Sequence, residues 1–416
     1  MKVDVDQFRK RVCRYCDSRL DKPFLDLGIS PLANSLPLIG EESLEEFTCP
    51  LQLVKCSTCH LVQLSHVVPP KMMFSDYLYV SSTTQTFRNH FASYAKSLRS
   101  KLKKKDNALA VDIGSNDGLL LSCYQSEGMR AVGVEPAKNL SDLAAQQGLN
   151  AINDYFNAAC VDQILKKYGP ADIISANNVF AHIDNVQDVC KNVYQLLDGH
   201  GIFVIEFPYL ITMVEKMLFD MIYHEHLSYI SVSSLHYLLK QFQFKIFAIE
   251  KVSSHGGSLR IFIEKKDGSY LVSGEVAKME EEERNNGYLT FSPYNSFAEN
   301  VRQTKHALTQ CVQEIKLKNK SICGYGAPAK ATTLINYCGW SSSDIDYVVD
   351  DNPLKQNRLV PGAKIPIVPS SHLNDNPRDY VIIFAWNFAK EIISKTKHLE
   401  QKDTKFIIPL PHLEIV

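Results

Sequence analysis

The chain has no excess of charge of either sign: 45 lysines and arginines stand against 46 aspartates and glutamates over 416 residues. The formal net charge of -1 gives no electrostatic case for nucleic acid. The one basic run, Lys103-Lys104-Lys105, leads into Asp106-Asn107 and reads as a solvated turn. No apolar run reaches the roughly 20 residues that a bilayer-spanning helix needs, so no membrane partner is expected. The opening Met1-Lys2-Val3-Asp4-Val5-Asp6 lacks the apolar stretch of a secretory signal, which makes the cytoplasm the expected compartment. Eleven cysteines are too few for a disulfide scaffold of this length. The length allows two or three domains, each with its own core. Oligomeric state is not legible in the composition.

Four of the cysteines fall in two pairs, Cys13-Arg14-Tyr15-Cys16 and Cys56-Ser57-Thr58-Cys59. Each tight turn presents two sulfurs from one side, and two such turns suit tetrahedral thiolate ligation of zinc. Four cysteine ligands leave no open position for a substrate, so the zinc is structural. Reduced thiols and a redox pair are the competing readings, and His60 beside the second pair is a bystander. Residues 1–75 otherwise show short strands near 23–28, 51–54 and 61–64, with little core of their own, so the metal would supply the stability. Just beyond, Tyr77 and Tyr79 alternate, and in an extended chain they point the same way.

The most telling run is Val111-Asp112-Ile113-Gly114-Ser115-Asn116-Asp117-Gly118, a strand, a glycine turn and a helix start. A second strand, Val132-Gly133-Val134, ends in Glu135. A glycine turn lets backbone approach a ligand, and a carboxylate at the next strand tip can take both ribose hydroxyls. The turn lacks the third glycine of a dinucleotide loop, and Asp117 would repel a pyrophosphate. A cationic nucleoside such as S-adenosylmethionine fits better, with Asp112, Gly114, Asn116, Gly118 and Glu135 as its candidate contacts. Strands at 109–113, 131–135, 173–176 and 202–207 alternate with helices, which implies a parallel sheet covered on both faces. Ligands of such sheets bind at the carboxyl ends of the strands. Asn153 to Phe156 then lie where an adenine can be sandwiched, with Phe156 equally suited to the core.

Tyr223-His224-Glu225-His226 is dense in proton-handling groups. Methylation of carbon needs a carbanion equivalent, hence a base that removes a proton next to a carbonyl, and histidine suits that near neutral pH. A carboxylate can orient the imidazole, and a tyrosine hydroxyl can hydrogen-bond the enolate oxygen. Metal ligation by the two histidines is the alternative; residues two apart do not share a helix face, but they can on an extended chain. A helix near 231–242 and a hairpin of strands near 245–250 and 258–264 follow, joined by Ser253-Ser254-His255-Gly256-Gly257. Residues 273–318 read as a charged helical pair. A further strand-turn-helix opens at Cys323-Gly324-Tyr325-Gly326-Ala327-Pro328-Ala329-Lys330, and a strand at 345–349 ends in Asp350-Asp351. Taken alone, this meets a dinucleotide template and leaves NAD chemistry as a rival reading.

Taken in order, the paired cysteines, the Asp112–Gly118 turn, Tyr223-His224-Glu225-His226, His255-Gly256-Gly257-Ser258-Leu259-Arg260 and the Gly324–Lys330 turn resemble the nucleotide-sugar C-methyltransferase family. The resemblance covers nearly the whole chain. It implies an α/β protein of three parts: a zinc-binding domain over 1–75, a Rossmann-like class I methyltransferase sheet over 76–266, and a Rossmann-like α/β domain over 267–416 that helps hold the sugar nucleotide. It also implies S-adenosylmethionine-dependent methylation at carbon 3 of a 4-keto deoxysugar, with a dTDP-linked substrate as the first expectation. Carried over by motif, His226 is the base, Tyr223 and Glu225 flank it, and Tyr77 lines the sugar pocket. Asn178 and His182 lie along the methionine end of the cofactor. Tyr79, His255, Arg260, Tyr325 and Lys330 are expected substrate contacts. Phe180 and Ile183 depart from the commoner Leu and Val, with no chemical consequence. Two rivals outside this class remain: an NAD-dependent oxidoreductase or epimerase, and a non-catalytic zinc protein that binds S-adenosylmethionine.

Overall fold

In the computed structural model, residues 4–74, 80–83, 85–103, 106–397 and 403–416 are described. Near the N-terminus, β1 (Leu25–Pro31), β2 (Thr48–Lys55) and β3 (Val62–Leu64) form an antiparallel sheet. The next strands build the central sheet: β4 (Leu109–Ile113), β5 (Arg130–Val134), β6 (Ala151–Ile152), β7 (Ala171–Asn177) and β8 (Leu197–Pro208). They are buried almost throughout, because a parallel sheet with helices on both faces has no solvent side. β9 (Ser228–Tyr229) leaves this sheet and joins the N-terminal one, with Val62 opposite Tyr229 and Gln63 opposite Ser228. The sequence patterns did not disclose this pairing.

The hairpin of β10 (Phe244–Val252) and β11 (Ser258–Lys265) returns to complete a seven-stranded order β10-β11-β8-β7-β4-β5-β6. β4, β5, β6, β7 and β8 run parallel, and β11 pairs antiparallel with β8. The chain order reverses between β4 and β7, which opens a crevice at their carboxyl ends. The charged stretch forms the helices Gly274–Asn285 and Ser292–Leu317. Buried Glu283 on the first of them accepts from the Val232 and Ser233 amides at 2.7 and 2.9 Å and from the Tyr209 hydroxyl at 2.7 Å. It thereby caps the Val232–Gln241 helix of the central domain from outside.

The last seven strands are β12 (Ile322–Tyr325), β13 (Val348–Val349), β14 (Arg358–Leu359), β15 (Pro366–Val368), β16 (Tyr380–Ile383), β17 (Lys405–Ile408) and β18 (Glu414–Ile415). Their order is β14-β15-β13-β12-β16-β17-β18, with a second reversal between β12 and β16. The N-terminal sheet has only a small cluster of its own, Leu32, Cys49 and Val68, and shares the rest of its core. Its Leu25, Leu53 and Val62 belong to one apolar cluster with Phe219, Ile222, Phe297 and Leu334, while Cys13, Tyr15 and Leu61 join Val111 and Phe203. Among the described residues no helix is long and apolar enough to cross a membrane.

Candidate functional site

At the β4–β7 crevice, Gly114 has φ +70°, and a Cβ there would lie 2.7 Å from Val179 Cγ2. Only glycine fits that turn. The Gly114 amide donates to the Val134 carbonyl at 2.8 Å, which ties the turn to β5. Glu135, buried at the tip of β5, accepts from the amides of Asn116 (2.8 Å) and Ala137 (2.9 Å). A carboxylate has about four acceptor positions, so two are left for a diol. Burial pushes the Glu135 carboxyl above its ordinary range. Burial also pushes Asp112 up to about 7, against the Ser175 hydroxyl donating at 2.6 Å. Asn178 follows β7 with φ +54°, its amide donating to the Glu206 carbonyl at 2.7 Å and its buried Oδ1 without a donor among the described residues. The donor-acceptor set and the acidic lining fit S-adenosylmethionine. Gly118 plays another part: it precedes the Leu119–Ser126 helix, where a Cβ would meet Leu149 at 2.4 Å, so it serves helix packing.

A tight turn at 223–226, closed by the His226 amide donating to the Tyr223 carbonyl at 2.9 Å, gives its two histidines different surroundings. His224 is buried towards the N-terminal sheet, where its Nε2–H donates to the Cys49 carbonyl at 3.1 Å. Burial lowers its pKa to about 4, so it is neutral. His226 lies beside His182, in the turn that follows β7. Its Nδ1–H donates to the Met221 carbonyl at 2.8 Å; a carbonyl only accepts, so the neutral ring carries its basic lone pair on Nε2. The Tyr223 ring lies 4.0 Å from the His226 ring, and His182 lies 5.0 Å away on a path that continues to Phe74 at 6.0 Å. Glu225 is buried and accepts from Asn34 Nδ2 at 2.6 Å. The two histidines do not converge, which argues against their sharing a metal.

The second crevice lies between β12 and β16. The Gly326 amide donates to the Val349 carbonyl at 2.7 Å, and Asp350 accepts from the Ala327 amide at 2.7 Å and from the Asn352 amide at 2.8 Å. Lys330, in the first turn of the Ala329–Cys338 helix, donates to Asn387 Oδ1 at 2.6 Å and sits 4.0 Å over the Trp386 ring. Burial lowers its pKa to about 8, with nearby Asp220 opposing that shift. Asp220 is fully enclosed and accepts from Trp386 Nε1 at 2.6 Å. A Cβ on Gly256 would lie 3.4 Å from Trp386, so the Ser253–Gly257 turn borders the same place.

Other expected contacts fall elsewhere. Arg260 is buried on β11 directly opposite Glu206 on β8, with Nε and Nη2 both 2.9 Å from Oε2, Glu250 at 3.3 Å and Tyr94 under its guanidinium at 4.3 Å. Burial alone would raise the Glu206 carboxyl, but His90 at 2.9 Å and Arg260 hold it below its ordinary value. Arg260 therefore pairs with a buried carboxylate. Tyr325 is also buried, its hydroxyl 3.5 Å from Asp351, on the sheet face packed against Val381 and Phe406. Tyr77 and Tyr79 lie outside the described residues, as does the side chain of His255. Sequence reasoning missed Asn34, Phe74, Asp220 and Trp386. Only Trp386, one of two tryptophans, carried a signal, since it follows a strand at a sheet's carboxyl edge.

Away from both crevices, the sulfurs of Cys13, Cys16, Cys56 and Cys59 all lie within 4.8 Å of one another. Cys13–Cys59 and Cys16–Cys56 are 3.4 and 3.5 Å apart, close to the roughly 3.8 Å edge of a tetrahedron with zinc–sulfur bonds of about 2.3 Å. The donor set fits structural zinc. His60 is not part of it; its Nδ1 lies 3.2 Å from Lys55 Nζ.

Residues 13–74 match a family described as a zinc binding domain, 86–249 a methyltransferase domain, and 253–411 a C-methyltransferase C-terminal domain. C-methyltransferase NovU from Streptomyces niveus is 32% identical over 406 residues, 97% of this chain and 96% of the relative. Among solved structures, the PH0226 protein from Pyrococcus horikoshii OT3 is 16% identical, with 48% of this chain and 97% of that one covered at a TM-score of 0.37. Magnesium protoporphyrin IX methyltransferase from Synechocystis PCC 6803 with bound SAM is 12% identical, with 43% and 79% covered at a TM-score of 0.33.

Proposed function

The chain belongs to the C-methyltransferase family and is an S-adenosylmethionine-dependent, zinc-binding enzyme, and from that premise we propose that it methylates carbon 3 of a nucleotide-linked 4-keto deoxysugar. The division of labour we propose follows the three parts 1–75, 76–266 and 267–416. Gly114, Asn116, Glu135 and Asn178 would hold the cofactor, Lys330 the anionic nucleotide, and His226 stands on the loop between. The observation that carries this reading is the His226 imidazole, fixed by Met221 in the Nε2-basic tautomer beside the Tyr223 ring.

The ketone of such a sugar acidifies the neighbouring carbon. Nε2 of His226 takes the proton from carbon 3, and the electron pair of that C–H bond passes into an enolate. The Tyr223 hydroxyl donates to the enolate oxygen, with Tyr77 as a second candidate. Glu225, held by Asn34, contributes a fixed negative charge that stabilises the imidazolium. When bound, S-adenosylmethionine supplies an electrophilic methyl group to the carbon nucleophile. The acidic lining around Glu135 suits the cation, while basic Lys330 suits a diphosphate. Zinc takes no part in the reaction.

The test uses S-adenosylmethionine and dTDP-4-keto-2,6-dideoxyglucose in heavy water, with NMR on carbon 3. Loss of the C3 proton and gain of a carbon-bound methyl are expected. His226→Asn should keep cofactor affinity while turnover falls by about two decades or more, the size of a lost general base. Near-normal turnover in that variant would remove His226 from the mechanism. A wild-type enzyme that neither exchanges the proton nor transfers the methyl would refute this acceptor. Exchange without methylation would leave the base standing and direct attention to other nucleotides and epimers.

A further inference from the structure

His226 takes its orientation from a carbonyl, and that carbonyl belongs to a segment gripped by the C-terminal domain. Met221 closes the single turn Phe219–Met221, and the next residue is Ile222. Thr333, in the Ala329–Cys338 helix that opens the C-terminal sheet, is buried and donates its hydroxyl to the Ile222 carbonyl at 2.9 Å. Trp386 donates to Asp220 in the same turn at 2.6 Å. Apolar packing continues the grip, with the Phe219 ring 5.7 Å from Tyr337 and edge-on to it. The preceding residue of the helix, Thr332, instead donates its hydroxyl to the Ala33 carbonyl of the N-terminal part at 3.0 Å.

We infer that Thr333 is a positioning residue, through which the C-terminal domain sets the tautomer and aim of the His226 base. This rests on the proposed role of His226. The physical chain is short. The Thr333 hydroxyl holds the Ile222 carbonyl, one peptide beyond that of Met221, the Met221 carbonyl accepts from Nδ1–H, and that bond leaves the lone pair on Nε2. A donor lost at Ile222 leaves a carbonyl in a buried setting without its protein partner, and the segment shifts to find another. The imidazole then samples both tautomers, and only one presents a base to the crevice. A domain read from sequence as a nucleotide holder thereby also tunes the proton-transfer step.

The experiment labels histidine with 15N and reads the His226 tautomer by long-range proton–nitrogen NMR on the full-length zinc-loaded protein, the signal being assigned by its loss in His226→Asn. Wild type should show the Nδ1-protonated form. Thr333→Val should show a mixture and lower kcat about three- to tenfold, the worth of one neutral hydrogen bond, with S-adenosylmethionine Kd unchanged. Thr333→Ser keeps the hydroxyl and should restore both the signal and kcat. Thr332→Val loses an equivalent bond in the same helix and should leave the His226 signal as in wild type. An unaltered tautomer in folded Thr333→Val overturns the inference, as does an equal change in Thr332→Val. If Thr333→Val does not fold, Thr333→Ala takes its place under the same criteria. The tautomer is read without substrate, so the two ideas fail separately. A Thr333-dependent signal with normal turnover in His226→Asn would sink the base and leave the coupling intact.

Discussion

The central and C-terminal sheets build the same device twice and line it with opposite charge. In each, a glycine amide after the first strand donates to the last carbonyl of the second: Gly114 to Val134, Gly326 to Val349. In each, an acid at the second strand tip accepts from the turn and from its own residue two positions on. Glu135 takes Asn116 and Ala137, and Asp350 takes Ala327 and Asn352. Both turns stand at a point where strand order reverses. The difference lies in what surrounds them: Asp117 beside the first, Lys330 and Lys355 beside the second. One backbone scaffold can thus face a cation or an anion, because the strand ends set shape while a few side chains set potential.

The coarsest way to break that division is to loosen what stands between the two crevices. β9, which follows the His226 loop, pairs with β3, and β3 follows the second cysteine pair. Stripping zinc with a chelator should lower the melting temperature and bring turnover close to zero, measured by calorimetry and methyl-transfer assay. Full turnover without metal would detach the zinc site from the loop. Finer tests cross the two crevices. Glu135→Gln should raise S-adenosylmethionine Kd about 10- to 100-fold, the value of charged hydrogen bonds, and leave acceptor KM alone. Lys330→Met should do the reverse, raising acceptor KM about tenfold with cofactor Kd constant. If each variant moved the other ligand instead, the charge contrast would have no functional meaning.

The smallest effect is in pH. Burial lowers Lys330 to about 8, so the ammonium is present below that pH and lost above it. Acceptor KM should therefore rise as pH climbs through about 8, while cofactor affinity stays level across the same window. Lys330→Met should flatten the acceptor profile. A KM that falls with rising pH would exclude an anion as the ligand of Lys330.

Much of this was legible because it is coded locally. Cys-x-x-Cys turns present paired sulfurs whatever lies around them, and Gly114 with Glu135 follows from one strand-turn-helix-strand unit. Arg260 shows where local reading ends. Its motif suggested a ligand contact, yet the antiparallel register of β8 and β11 sets it opposite Glu206, a carboxylate that burial would otherwise neutralise. Tyr325 is likewise set by tertiary packing: its ring is buried with Val381 and Phe406 while its hydroxyl lies 3.5 Å from Asp351.

Sequence alone determined the three-part α/β plan, the four clustered cysteines, the Gly114 turn with Glu135 and the groups available in Tyr223-His224-Glu225-His226, since each depends on residues close in the chain. Tertiary structure alone decided which histidine is buried and neutral and which lies beside the Tyr223 and His182 rings. It also decided that Asn34 holds Glu225 and that Thr333 and Trp386 hold the turn before His226. Those partners are separated by more than a hundred residues in the chain, and only packing brings them within a hydrogen bond's length.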